Sequence, residues 1–332
     1  MMTPQEAVGR AALAGIHCLS IATPFPIGPV NVYLIEDEPL TLVDAGPNSG
    51  AALQELSKQL GRRGYALEDL GLILITHQHF DHIGLARVIA ERSGAEIAAL
   101  GAASHRLGNL NEAAAAEDHY VAAALIRHGV PEEVAVALQA ATAISWGYGS
   151  SFDLTRPLLP GETIRLAGRT LEVLHRPGHS PSDTVFWDAE GGFLFAGDHL
   201  LADVSSNPLI SMPLDGSSRR VQSLVTYIES LRLTRALPAG IVLGGHGGPI
   251  VDHQALIDAR SSETTQRKEK IFRLVREAGR TGYDLAREIW GGVAVTQTYP
   301  ALSEVIGHTD ILVNEGRIIE DETGGFIRFQ AT

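Results

Sequence analysis

The stretch LILITHQHFDHIG, Leu72 to Gly84, puts His77, His79, Asp81 and His82 within six residues directly behind four apolar ones. The apolar run reads as a short buried strand, and the loop leaving it can aim alternating side chains at one point. Imidazole nitrogen and carboxylate oxygen suit zinc and related transition ions. His77 and His79 fall two apart and can converge on one ion; Asp81 and His82 then turn toward a neighbouring one. Packing is a poor account of four such groups side by side.

Three later segments repeat the theme, each with a metal-capable residue beside glycine at the end of an expected strand. They are PGHS with His179, AGDH with Asp198 and GGHGGP with His246. Glycine there lets the chain turn sharply and a ligand approach without a Cβ in the way. Alone, each is equally well a surface turn; their order and context give the combination its weight.

Upstream of the motif, Ile16–Ile21, Val30–Glu36 and Thr41–Asp44 read as strands parted by TPFPIGP and the EDEP turn. Leu53, Leu56 and Leu60 set a helix over Gly50–Arg63; Leu85–Arg92 is a second, leading into a strand at Glu96–Leu100. From about 102 to 150 the pattern changes to alanine-rich helix, with Pro131 placed to open its second piece, and this reads as an insertion. Strands return at Thr170–Leu174, Thr184–Trp187, Phe193–Ala196 and Ile241–Leu243, with a helix through Leu224–Leu231, so the two halves echo each other. A long helix after Asp252 runs to about Ala278, followed by short helices and GRIIEDETGGFIRF, a strand–turn–strand wing. The expected division is 1–255 and 256–332.

This constellation resembles the metallo-β-lactamase-fold superfamily, whose signature is H-x-H-x-D-H followed downstream by His, Asp and His. The likeness covers Ile16 to Asp252. It implies an α/β fold, an αβ/βα four-layer sandwich carrying the insertion as a helical lid. The tail is similar to the winged-helix-like domain of the lactamase-like endoribonuclease branch. The family pattern implies one metal on His77, His79 and His179, a second on Asp81, His82 and His246, and Asp198 bridging both. Asp44 in LVDAG matches a family aspartate that organises the metal loops from behind. Two zinc ions are expected, with iron or manganese as alternatives, and a hydroxide shared between them as nucleophile. Asp81 and Asp198 are then the catalytic carboxylates, Asp81 assisting the leaving group.

Other chemistries lack a signal. There is no G-x-S-x-G elbow, P-loop or G-x-G-x-x-G fingerprint. Cys18 is the single cysteine, which excludes an intramolecular disulfide and a cysteine-based cluster. A net charge of −13 gives no general attraction to polyphosphate. No apolar run is long enough to span a bilayer. Ala11–Ala22 loosely resembles an export signal, but Glu6 and His17 spoil it, so a cytoplasmic protein is expected.

Substrate class rests on the insertion, whose end, ISWGYGSSF, supplies Trp146, Tyr148 and Phe152 as pocket candidates; His199, beside Asp198, is a fourth. The remaining histidines read as structural (His17, His175, His253, His308) or as part of a solvated helix face (His105, His119, His128). An apolar lid suits an acyl-containing small molecule, so the expected reaction is hydrolysis of a carboxylic ester, thioester or lactone. The alternative is a phosphodiesterase or endoribonuclease, suggested by the tail with Arg267, Lys268, Lys270, Arg273 and Arg276. Against it, residues 266–332 hold 9 basic and 10 acidic side chains, no net positive field. The wing then reads as a packing or homodimerisation module. β-Lactam hydrolysis ranks lower. So do iron-dependent redox enzymes: His79 stands where the flavodiiron group generally has Glu, and metal analysis rather than motif separates the dioxygenases.

Overall fold

Strands that are apolar on both faces need cover on both sides. The computed structural model, which describes residues 2–217, 219–292 and 294–332, shows where that cover comes from. Helix α1 (Pro4–Leu13) leads into β1 (Ile16–Ile21), β2 (Val30–Ile35) and β3 (Thr41–Val43). Then come α2 (Gly50–Gly61), β4 (Leu72–Leu74), the single turn α3 (Phe80–Ile83), α4 (Ala86–Ser93) and β5 (Glu96–Leu100). The insertion is α5 (Ser104–Gly108), α6 (Leu110–Arg127) and α7 (Glu132–Trp146), after which β6 (Arg156–Leu158) ends the first half. The second half has β7 (Thr163–Arg165), β8 (Thr170–His175), β9 (Thr184–Asp188), β10 (Phe193–Gly197), α8 (Ser223–Arg235) and β11 (Ile241–Gly244). The chain closes with α9 (His253–Glu277), β12 (Arg280–Thr281), α10 (Gly282–Trp290), α11 (Val295–Asn314), β13 (Ile318–Thr323) and β14 (Phe326–Ala331).

Two sheets, ordered β1-β2-β3-β4-β5-β6 and β11-β10-β9-β8-β7, pack face to face. Alternation decides which side chain goes where: Val43, Leu72 and Leu74 join Phe186, Phe193 and Phe195 of the other sheet in the central core. Leu42 and Ile73 turn outward beneath Leu56, Leu60 and Ile89 of α2 and α4. On the far side Val185, Leu194 and Val242 meet Leu224, Tyr227 and Leu231 of α8. The result is the expected αβ/βα sandwich. A separate three-stranded sheet, β12-β14-β13, belongs to the C-terminal segment. No helix among the described residues is long and apolar enough to cross a membrane.

Register places the site. Parallel pairing of β3 with β4 aligns Val43 with Leu74, and parallel β10 and β11 align Gly197 with Gly244. Asp44, the THQHFDH loop, Asp198 and His246 therefore emerge along one edge of the sandwich, at the carboxyl ends of parallel strands.

The structure departs from the sequence reading in several places. β6 and β7 were not anticipated; both are three residues long, and Pro157 in edge strand β6 hides its signal. The tail contains a 20-residue helix, α11, rather than short helices only. Pro300 sits in its second turn, where one ladder bond is lost, and buried Leu302, Val305, Ile306 and Leu312 carry the helix past it. His128 is not on a solvated face: it is buried and its ring stacks on Phe329 at 5.9 Å. Residue 255 lies in the first turn of α9, one continuous helix that leaves the sandwich and enters the C-terminal segment.

The motif loop is locked against the insertion by backbone contact. A Cβ at Gly84 would lie 2.1 Å from the Asn48 nitrogen and 2.3 Å from the Tyr148 carbonyl oxygen. Gly84→Ala therefore forces two backbone segments apart, and urea unfolding is expected to show a loss of about 3 kcal/mol or more, against little change for Gly9→Ala, where nothing lies within 4 Å.

Candidate metal centre

Five imidazoles and two carboxylates meet at this edge. His77 Nε2 and His179 Nε2 each lie 3.0 Å from His79 Nδ1. Beside them, Asp198 Oδ1 is 3.4 Å from His82 Nε2, and its Oδ2 is 3.7 Å from His179 Nε2 and 3.6 Å from His246 Nε2. Asp81 Oδ2 closes the group, 3.5 Å from His246 Nε2. Within each of three sets the donor atoms all lie within 4.8 Å of one another: His77, His79, His179; His77, His82, Asp198; and Asp81, His82, His246. Asp198 thus stands between the two triads expected from the sequence.

The outer nitrogens fix which atoms face inward. Thr76 Oγ1 donates its proton to Asp44 (2.9 Å) and so accepts from His77 Nδ1 (3.0 Å). His82 Nδ1 donates to Asp44 Oδ2 at 2.8 Å. His179 Nδ1 donates to the Asn207 carbonyl (3.0 Å) and His246 Nδ1 to the Pro29 carbonyl (2.7 Å). Four rings therefore turn Nε2 to the centre; His79 presents Nδ1.

Such a cluster of acceptors has no internal solution. His82 Nε2 and Asp198 Oδ1 are buried with no hydrogen-bond partner. Burial, helped by the neighbouring imidazoles, holds His77 well below the usual histidine range and His79 down to about 3. Burial also works against charge on His82, but the carboxylates of Asp198, Asp44 and Asp81 outweigh it and raise that ring. Asp198, which burial alone would raise, is held well down by His82 and His246. One half of the cluster offers neutral nitrogen, the other concentrated negative charge, and cations satisfy both. Nitrogen and carboxylate donors at these separations fit a pair of transition ions.

Asp44 has the only positive φ among the described non-glycine residues, 63°. That turn lets one carboxylate take Thr76 N–H (2.9 Å), Thr76 O–H and His82 Nδ1–H together. Gly245 serves by absence: a Cβ there would meet Asp198 Oδ1 at 2.3 Å and His82 Cε1 at 2.7 Å.

The donors floor a cavity of about 470 Å³ whose walls come from α6, α7, the loop 201–211 and Tyr299 and Pro300 of α11. Trp146 lines it as expected. Tyr148 stands behind the wall, edge-on to Phe25 at 5.4 Å. Three pocket expectations are corrected, Tyr148 being the first, since it is not part of the lining. Phe152 packs in the core under the first sheet, and His199 is buried with Nε2 2.8 Å from Thr234 Oγ1 and its ring against Tyr227. Asp198 and His199 lie in the turn that follows β10, where His199 N–H donates to the Ala196 carbonyl (3.0 Å).

Sequence reasoning missed Phe80, whose ring joins Phe25 (4.8 Å) and Trp146 (5.8 Å) in the cavity lining. Its place between His79 and Asp81 was the available signal. Asp183 was also missed; it accepts from Ser180 N (2.9 Å) and Oγ (2.6 Å) and pins the His179 loop. Asn207 carried no signal at all.

With the geometry established, comparison identifies the family. A profile of the metallo-β-lactamase superfamily matches residues 26–246. The chain belongs to that superfamily. Probable metallo-hydrolase YqjP of Bacillus subtilis is 32% identical over 321 residues, covering 95% of this chain and 97% of that protein. The crystal structure of a metallo-β-lactamase family protein from Thermus thermophilus superposes with a TM-score of 0.81 at 28% identity, covering 97% of this chain and 100% of that one. An atrochrysone carboxyl ACP thioesterase of Aspergillus fumigatus is 26% identical over 122 residues, 37% of this chain and 26% of that protein. Superfamily members generally bind two metal ions, and the donor set here accommodates them.

Asp44→Asn tests the support behind the ligands. Asparagine tolerates positive φ, but its NH₂ group sets a donor against His82 Nδ1–H or Thr76. Metal affinity, measured by chelator competition on folded protein, is expected to fall about ten- to a hundredfold.

Proposed function

We propose that this hydrolase cleaves a carboxylic ester, thioester or lactone with two zinc ions held by His77, His79 and His179 on one side and Asp81, His82 and His246 on the other, Asp198 shared. The observation that carries this reading is a metal-capable floor beneath a largely apolar chamber. Val121, Ala122, Leu125, Ala135 and Leu138 line it, which suits the hydrocarbon part of an acyl group. The match to an ACP thioesterase points the same way, toward thioesters.

Two such ions lower the pKa of a bound water to roughly 7 and polarise an acyl oxygen. The chain's own residues do the rest. Asp81 and Asp198 hold carboxylate oxygens at the floor, where either can take a proton from water and deliver it to the departing alkoxide or thiolate. Phe25, Phe80 and Trp146 form an aromatic cluster in the cavity lining and keep bulk water from the reacting group.

A phosphodiester fits less well. Arg106 is the one Lys or Arg among the described residues lining the cavity, and its guanidinium is occupied by Glu117 at 2.7 Å. No unpaired cationic side chain among the described residues stands inside to assist the metals in holding a phosphodiester.

Removal of metal by chelation is expected to abolish turnover of p-nitrophenyl esters, neutral thioesters or homoserine lactones, and zinc to restore it. His77→Ala or Asp198→Ala should lower kcat/KM by about a thousandfold, since metal polarisation supplies several kcal/mol, while circular dichroism remains that of a folded protein. Turnover confined to bis-p-nitrophenyl phosphate in the same screen would replace this reading with a phosphodiesterase.

A further inference from the structure

The cavity has a direction. Trp146, at the C-terminal end of α7, sets its ring against Phe80 between two of the metal-capable residues, so this end of the α6–α7 pair lies beside the floor. Asp118 of α6 faces it, its Oδ1 accepting from Trp146 Nε1–H (3.2 Å) and Thr142 O–H (3.1 Å). One and two helical turns farther along α6 the lining has become Ala122 and Leu125, with Ala135 and Leu138 supplied by α7. From α11, Tyr299 and Pro300 complete the lining, backed by Leu302 and Ile306 in the apolar cluster that also holds Leu125, Ala135 and Leu138. Along α6 and α7 the lining thus passes from the polar group of Asp118, Thr142 and Trp146 to the hydrocarbon of Ala122, Leu125, Ala135 and Leu138.

Alanine keeps this space open. Ala122 and Ala135 are buried, 8% and 1% exposed, on helix faces that both line the cavity. Facing helices ordinarily fill such a gap with larger interdigitating side chains, and apolar space left unfilled destabilises a fold in proportion to its volume. At roughly 30 Å³ per water-sized group, 470 Å³ accommodates about fifteen heavy atoms.

We propose that the space between α6 and α7 is an acyl-chain site that takes an unbranched alkyl chain of roughly six to ten carbons, with its carbonyl at the floor and its tail between Ala122 and Ala135. This rests on the acyl-hydrolase reading above. The site sets chain length by depth: α11 is the stop, and the two alanines set the clearance. Larger residues at 122 or 135 shorten the chain accepted.

The test uses full-length protein, S-acyl N-acetylcysteamine thioesters from acetyl to dodecanoyl, and calorimetric binding of decanoate. In the unaltered protein kcat/KM is expected to rise at least about tenfold from acetyl to octanoyl and fall by dodecanoyl, at about 1.4 kcal/mol per tenfold step. Ala135→Leu, and separately Ala122→Leu, should lower the octanoyl-to-acetyl ratio by about tenfold and abolish decanoate binding, each variant checked by thermal melting. A flat chain-length profile, or a ratio and decanoate affinity unmoved in both folded variants, overturns the site. If no thioester or ester is cleaved yet decanoate binds and either folded variant loses that binding, the acyl site stands and the hydrolase reading falls.

Discussion

Asp44 is the point on which the architecture turns. It follows β3, holds a left-handed backbone, and accepts hydrogen bonds from Thr76 and His82 on the loop that follows the parallel neighbour β4. One buried carboxylate therefore ties two strand ends together and fixes the tautomer of a ring at the centre. The cluster inherits its precision from strand register, because a register slip of one residue would send these metal-capable side chains to the opposite face. Burying this many unpaired acceptors is unfavourable in itself, which is why ion binding and stability of this edge are one equilibrium.

The sandwich was legible in the sequence because its strands are dense in apolar residues and its turns rich in glycine and proline. β1 and β5 fall on the expected residues, and the seven side chains singled out from the motifs do converge. The motifs were readable because each sits where a strand ends, so local pattern and global position agree. The substrate chamber was not readable in the same way. Phe152 and Trp146 lie six residues apart at the end of one aromatic segment, yet one packs in the core and the other faces the cavity. Composition cannot separate them, since the difference is the direction in which the chain leaves α7. Phe25, some 120 residues earlier, reaches the same aromatic cluster, a proximity that only the closed fold produces.

The C-terminal segment shows the same limit from the other side. Read alone it is a charged helix with a wing. In the fold it is masonry for the chamber: Tyr299 O–H donates to the Ile210 carbonyl (2.6 Å), Ser303 Oγ accepts from Ile210 N (3.2 Å), and Asn207 Nδ2 donates to the Pro300 carbonyl (2.9 Å). On its other flank the loop hangs from the insertion, where the Arg106-paired carboxylate of Glu117 takes Met212 N–H. None of these contacts has a periodicity or a motif, because each joins a side chain to backbone between a helix and a segment with no regular structure.

That loop links the two tasks of the molecule. The carbonyl of Asn207 orients His179 while its amide is anchored on α11, so the wall of the substrate chamber and the aim of a metal-capable ring share one residue. The metal-capable side chains otherwise come from strand ends and most of the cavity wall from helices added to them, a separation of the kind that lets one fold serve many reactions. Here the separation is incomplete. A change in α11 that displaces Pro300 bears on Asn207, so the cavity wall and the aim of the His179 ring are linked through that residue.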